Sequence, residues 1–291
     1  MPRPRLHVGR IEVTPAVVRR LLAQVPAFAD EPLREVPSTG TVNALYRVGE
    51  RALARLPIMA EWSDAAAEAE TLAFVAPRLR VEVPTVLHVG APDAAYPKPW
   101  LLLSWLGGTI ATPGAGGAAL ADDLAAFLGD LWQLPVEDAR AGYRQGLDQY
   151  DTAVKNSLAA AADLVEVAAL EPLWADALAA PGWRHPLRWT HSDLLANNVL
   201  LDADGRLHAV LDWEAAGVGD PACDLMSAWS MLDGSGRARL RELLDLDDDT
   251  WRRGRGWALL QAIIALPHYR ETTHGLVAHS LHVLGVLAAD G

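Results

Sequence analysis

Two carboxylates and a carboxamide crowd one short stretch of this 291-residue chain: Asp193, Asn198 and Asp212, all between Trp189 and Leu225. An apolar approach ends at His191, and a polar loop follows with Asp193, Asn197 and Asn198. Val199 to Leu201 reads as a short strand, and Asp202, Asp204 and Gly205 as a turn. A second strand, Leu207 to Leu211, then delivers Asp212 at its end. That order predicts a hairpin carrying both acids and the amide to one edge. Phosphoryl transfer calls for such a set: a base beside the attacking hydroxyl, and hard oxygen donors that keep magnesium on the phosphates.

The elements that must hold this edge are legible from periodicity. Thr14 to Val25 carries Val17, Val18, Leu21, Leu22 and Val25 on one helical face, with Thr14-Pro15 as a start and Pro26 as a stop. Val42 to Val48 reads as a strand, Gly49-Glu50 as a turn, and Ala52 to Leu56 as the returning strand that ends in Arg55 just before Pro57. A helix from about Asp64 to Ala76 follows, stopped by Pro77. Val83-Pro84 opens a short strand through Val89, and Trp100 to Trp105 is a further apolar strand with a flexible exit at Leu106-Gly107-Gly108. Beyond it, Ala118 to Leu134 is a one-faced helix, and Asp148 to Ala180 reads as two helices broken near Pro172. After the hairpin, helices are expected over Pro221 to Met231, Arg237 to Leu244, Thr250 to Leu266 and Leu276 to Ala288.

The spacing His191, Asp193, Asn198 is that of the His-x-Asp-x-x-x-x-Asn loop of kinases, and Asp212-Trp213-Glu214 stands where kinases carry Asp-Phe-Gly. With Gly219-Asp220-Pro221 and Asp224-Leu225 downstream, the chain resembles the aminoglycoside phosphotransferase family, whose protein-kinase-like members include macrolide and choline kinases. Ser192 stands where that family usually has glycine, a departure that bears on loop geometry and leaves every chemical group in place. The resemblance implies an α+β, bilobal, protein-kinase-like fold. A small β-rich nucleotide-binding lobe would span residues 1–105, and a larger, mainly helical catalytic and acceptor lobe residues 106–291.

The same resemblance implies the roles. Asp193 is the expected catalytic base or orienting acceptor, and Asn198 and Asp212 are the expected magnesium ligands; the five-residue step from Asp193 selects Asn198 over Asn197. Arg55 takes the place of the nucleotide-contacting cation, with a glutamate on the following helix as partner. Glu68 and Glu70 compete for that place, and Glu68 is preferred because it lies four residues before Leu72 on the inward face. Backbone groups of Ser104, Trp105 and Leu106 are expected to bind the purine edge. Ser38 to Thr41 reads equally as a turn over the phosphates or as an ordinary hairpin turn. His191, Asp220 and Asp224 are expected to prop the loop, and Glu214 is either support for the metal site or a surface carboxylate.

Composition narrows the rest. Half the chain is hydrophobic (51%), enough to bury a sizeable core, and no apolar run reaches the roughly 18–20 residues of a membrane span. No apolar signal core follows the N-terminal basic residues, and the single cysteine, Cys223, suits a reducing cytoplasm as a small buried hydrophobe. The formal charge of −12 argues against nucleic acid as a partner and favours a cationic acceptor, although solubility alone also accounts for it. Three readings follow. The first is a magnesium-dependent kinase that moves phosphate from ATP or GTP to a hydroxyl of a small molecule. Its leading acceptor is an antibiotic of the aminoglycoside or macrolide type, with a choline- or sugar-like metabolite as the alternative. The second is a metal hydrolase on His191, Asp193 and Asp212, and the third a non-catalytic nucleotide-binding module.

Overall fold

The structure, a computed structural model, describes residues 11–37, 42–59, 64–137, 139–270 and 274–290. The chain divides into two compact units, residues 1–78 with 82–107 and residues 79–81 with 108–291.

The first unit opens with helix α1 (Pro15–Leu22), where the Thr14 hydroxyl accepts from Val17 N at 3.3 Å and Pro15 occupies the first turn, and buries Val18, Leu21 and Leu22. Strands β1 (Leu33–Glu35), β2 (Asn43–Val48) and β3 (Ala52–Pro57) precede helix α2 (Ala65–Val75), and β4 (Val86–Gly90) and β5 (Trp100–Ser104) follow it. All pair antiparallel in the order β1-β2-β3-β5-β4. The stretch Ser38 to Thr41 lies outside the described residues. Ala44, Tyr46 and Val48 of β2 meet Ala52, Ala54 and Leu56 of β3 in a core that also holds α1, Tyr96, Trp100 and Leu102. Gly90 makes room for it: a Cβ there would lie 1.9 Å from the Trp100 ring. Asp64 caps α2, accepting from Ala66 N (3.1 Å) and Ala67 N (3.0 Å).

The second unit adds a short strand that periodicity could not show. β6 (Thr109–Ile110) pairs with the first strand of the expected hairpin, so that β6, β8 (Val199–Leu201) and β9 (Leu207–Val210) form one antiparallel sheet. Two residues are too few to display a period of two. A second small ladder joins β7 (Arg188–Thr190) to β10 (Gly217–Gly219), Gly217 opposite Thr190. Helices α3 (Ala118–Trp132), α4 (Asp151–Ala160), α5 (Val167–Ala179), α6 (Met226–Met231), α7 (Gly234–Leu243), α8 (Asp248–Tyr269) and α9 (His274–Asp290) build the rest.

Two expectations change here. The break between the helices after Asp148 falls at residues 161–166, and α5 runs straight through Pro172. A proline inside a helix costs about 3 kcal/mol; burying Leu170, Leu173, Trp174 and Ala177 offsets it. The segment from Pro221 is also split: Pro221–Leu225 is a 3₁₀ turn, and α6 begins only at Met226. The acidic run before α8 acts locally, Asp247 capping Thr250 N at 2.6 Å with Asp248 and Asp249 in the first turn. Among the described residues, no helix is long and apolar enough to cross a membrane.

Candidate active site

β7 runs into the polar loop, and the loop turns sharply at once: Ser192 has φ +64°, a left-handed conformation that glycine adopts more readily. The turn is held from several sides. The buried carboxylate of Asp224 accepts from His191 N (3.2 Å) and Ser192 N (2.9 Å), and the Ser192 hydroxyl lies 2.8 Å from Thr190 Oγ1. Burial dominates the Asp224 carboxyl and pushes it up to about 7, against the pull of those N–H groups. His191 donates from Nε2 to Leu211 O (2.9 Å) and accepts Asp193 N at Nδ1 (3.3 Å). Burial lowers its pKa to about 4, so the ring is neutral and props the loop.

The Asp193 carboxylate is gripped through both oxygens. Oδ2 accepts from Asn198 Nδ2 at 3.1 Å; Oδ1 accepts from Gln261 Nε2 at 3.2 Å and from Arg144 Nη2 at 3.4 Å. Burial raises this carboxyl above its ordinary range, and the Arg144 charge opposes the shift. Asn198 also donates to Asp193 O (2.9 Å), so its nitrogen is spent on Asp193 and its oxygen points away, where Asn197 Nδ2 lies at 2.9 Å. A 3₁₀ turn, Ala196–Asn198, sets this orientation, and Leu211 N donates to Asn198 O at 2.8 Å. That bond brings the end of β9, and hence Asp212, beside Asn198. Asp212 has φ +62°, one of three described non-glycine residues with positive φ. Such conformations cost about 1–3 kcal/mol and concentrate at working sites.

Behind this edge Trp213 packs edge-on to His191, ring centroids 4.8 Å apart, and to Phe127 at 6.3 Å. Asp220 accepts from Arg253 Nε at 2.7 Å and caps Ala222 N at 2.9 Å, so it fixes the 3₁₀ turn that carries Asp224, and Asp224 is the one that touches the loop directly. Cys223 is fully buried beside them. Arg144 and Gln261 were not foreseeable: each lies about fifty or more residues from Asp193 and carries no local pattern. Among the described residues, no cluster of three His, Cys, Asp or Glu side chains is placed to hold a metal ion. Asn198 and Asp212 offer two hard oxygen donors, a set suited to magnesium, which completes its shell with waters and phosphate oxygens.

The first unit carries its own polar cluster. Arg55 on β3 pairs with Glu68 on α2, and the residues are 5% and 3% exposed, whereas Glu70 faces solvent. Asn43, opposite Pro57 in the ladder, joins them: the amide orientation that satisfies its neighbours turns its oxygen to Arg55 Nη2 (2.8 Å) and Nε (3.1 Å). Ser104 N donates to Thr85 O, and the Ser104 hydroxyl accepts from Thr85 N, both at 2.8 Å. Trp105 N donates to Arg51 O at 2.8 Å, and Leu106 is half-buried beyond it.

The model of the phosphotransferase enzyme family matches residues 34–257, from β1 through Arg55, Glu68, the catalytic-type loop and Asp212 into α8. Sequence comparison with curated proteins gives no match. Among solved structures, the chain is similar to wild-type aminoglycoside 2′-phosphotransferase-IIIa in complex with GDP (TM-score 0.73, 16% identity, 94% of this chain and 98% of that one). It is similar also to a GDP and kanamycin complex of APH(2″)-IIIa (0.69, 15%, 96% and 100%). A third is apo macrolide 2′-phosphotransferase MphH from Brachybacterium faecium (0.56, 23%, 94% and 98%). At these identities the likeness is one of fold, a kinase-like arrangement of a β-sheet part and a helical part. The loop motif, the ladder that presents it and the family match over more than two thirds of its length agree: the chain belongs to the phosphotransferase enzyme family.

Proposed function

We propose that this protein is a magnesium-dependent small-molecule kinase that moves the γ-phosphoryl of ATP or GTP to a hydroxyl group. The observation that carries this reading is the Asp193 carboxylate, oriented through both oxygens beside Asn198 and the strained Asp212. Asp193 accepts the hydroxyl proton of the acceptor as the oxygen attacks phosphorus. Asn198 Oδ1 and the Asp212 carboxylate would hold magnesium, which when bound offsets charge on the transferring phosphates. His191 stays neutral and keeps the loop in register, as its hydrogen bonds require.

Residues 1–105 serve as the nucleotide lobe and 106–291 as the catalytic and acceptor lobe. Arg55, fixed by Glu68 and Asn43, presents a permanent cation to the phosphates. Because the N–H groups of Ser104 and Trp105 donate to Thr85 O and Arg51 O at the ends of the strands, the purine edge meets carbonyl oxygens of this stretch and Leu106. The acceptor is an antibiotic of the aminoglycoside or macrolide type. Solved relatives of this fold hold kanamycin in one case and are named for macrolides in others, and a charge of −12 favours a cationic molecule. The protein would then act in the cytoplasm as a resistance enzyme.

ADP or GDP release, measured with magnesium across aminoglycosides, macrolides, choline and simple sugars, tests this. Turnover confined to one antibiotic class establishes both the reaction and the acceptor. Turnover on choline or a sugar alone moves the protein to metabolism. Nucleotide binding with no turnover on any acceptor favours a binding module, and phosphate release that needs no triphosphate favours a hydrolase.

A further inference from the structure

Residues 140–144 form a strap across the segment that follows Asp212. Arg140 donates from Nε to Ala216 O (3.0 Å) and from Nη2 to Glu214 O (2.5 Å). Gly142 N donates to Val218 O (2.9 Å), Tyr143 N to Ala215 O (3.1 Å), and Val218 N back to Arg140 O (2.8 Å). The strap lies flush: a Cβ on Gly217 would come within 2.6 Å of Gly142 N, and one on Gly142 within 3.0 Å of Ser192 Oγ.

The strap ends on Arg144, a residue only 5% exposed. Its Nε donates to Ser192 O at 2.5 Å, and its Nη2 reaches both Asp193 Oδ1 (3.4 Å) and Gln261 Oε1. Gln261 closes the ring by donating from Nε2 to the same Asp193 Oδ1 at 3.2 Å. The guanidinium carbon sits 5.5 Å from the centre of the Trp257 ring, one turn before Gln261 on α8, and Tyr150 packs edge-on to that ring. The cation is therefore fixed in a slot, and three independent elements, strap, loop and α8, converge on one carboxylate.

Resting on the reading of Asp193 as the base, we propose that Arg144 and Gln261 are positioning residues: they clamp Oδ1 of Asp193 and the Ser192–Asp193 peptide, setting the carboxylate plane before an acceptor arrives. Asn198 fixes Oδ2 alone, and a carboxylate held at one oxygen still swings about its last bond. The clamp supplies the second point. A fork is needed because one side chain must serve the Ser192 carbonyl and the Asp193 carboxylate together. Misplacement of a reacting group by about 1 Å costs on the order of 10²-fold in rate.

The test compares full-length wild type with Arg144→Gln, Arg144→Lys and Gln261→Leu. Turnover is read as magnesium-dependent hydrolysis of ATP or GTP to water, nucleotide Kd by a fluorescent analogue, and the Asp193 carboxylate in a crystal of each variant. Arg144→Gln is expected to lose on the order of 10²-fold in turnover with nucleotide Kd within about twofold, and its Asp193 carboxylate to leave Gln261. Arg144→Lys should fall between, since it keeps the charge without the fork, and Gln261→Leu should lose less than Arg144→Gln. Unchanged turnover in Arg144→Gln overturns the proposal. So does a loss matched by weaker nucleotide binding in which lysine is no better than glutamine. Wild type that binds nucleotide but turns over none, with water or with any acceptor of the panel, overturns the kinase reading alone. The clamp then stands or falls on whether the Asp193 carboxylate moves in the variant crystals.

Discussion

Asn198 spends its amide nitrogen twice on one neighbour, donating to Asp193 O at 2.9 Å and to Asp193 Oδ2 at 3.1 Å. The geometry divides its labour: nitrogen to Asp193, oxygen outward, where it accepts from Asn197 Nδ2 at 2.9 Å. A single planar group thus joins the Asp193 carboxylate to the Asn197 side chain.

Asp193→Ala should therefore abolish phosphoryl transfer while leaving magnesium-nucleotide affinity within about threefold, because no nucleotide contact is assigned to it. Asp212→Ala should do the reverse to binding and weaken nucleotide affinity only when magnesium is present. Calorimetric titrations with and without chelator separate the two. Equal activity in the first variant, or equal magnesium-dependent affinity in the second, contradicts the assignment.

Arg55 and Glu68 form a buried ion pair, and removing one partner strands the other charge. Glu68→Ala should cost about 3–5 kcal/mol in urea unfolding. The double variant Arg55→Met with Glu68→Leu should cost clearly less than the two single losses added. Additive losses would mean that the two side chains are not energetically coupled.

His191 and Asp224 give opposite pH slopes. Folding lowers the His191 pKa from 6.5 to about 4, so between those values the unfolded chain holds the extra proton, and this group adds stability as pH rises. Folding raises Asp224 from 3.8 to about 7, so there the folded chain holds the extra proton, and its stability contribution falls as pH rises. In the wild type the two largely cancel between about pH 4 and 6.5. Asp224→Asn should leave a stability that climbs with pH over this window, and His191→Gln one that declines. Urea midpoints at three pH values decide it; parallel slopes in the two variants refute the pairing.

Ser192 occupies a left-handed conformation that costs a side chain about 1–2 kcal/mol, and its hydroxyl recovers part of this at Thr190. Ser192→Ala keeps the strain and loses the bond, so it should be the least stable of the three. Ser192→Gly loses the bond but also the strain, and should exceed the alanine variant by about 1 kcal/mol. Thermal unfolding that ranks alanine above glycine would refute the conformational account.

The sequence by itself determined the chemistry-bearing edge, because Asp193, Asn198 and Asp212 are joined by one short hairpin whose spacing is local. It also determined which glutamate turns inward on α2: helical period places Glu68 with Leu72, and Glu70 opposite. Local physics settles such choices, since a period of 3.6 or 2 acts over a few residues. The tertiary structure alone decided that α5 passes through Pro172, because the burial that offsets the proline comes from distant elements. It alone added Asn43 to Arg55, paired β7 with β10 and brought Arg144 and Gln261 onto Asp193. Arg144 and Gln261 lie far from Asp193 in the chain, and a side-chain hydrogen bond leaves no period or motif in either segment even within one hairpin, as between Asn43 and Arg55.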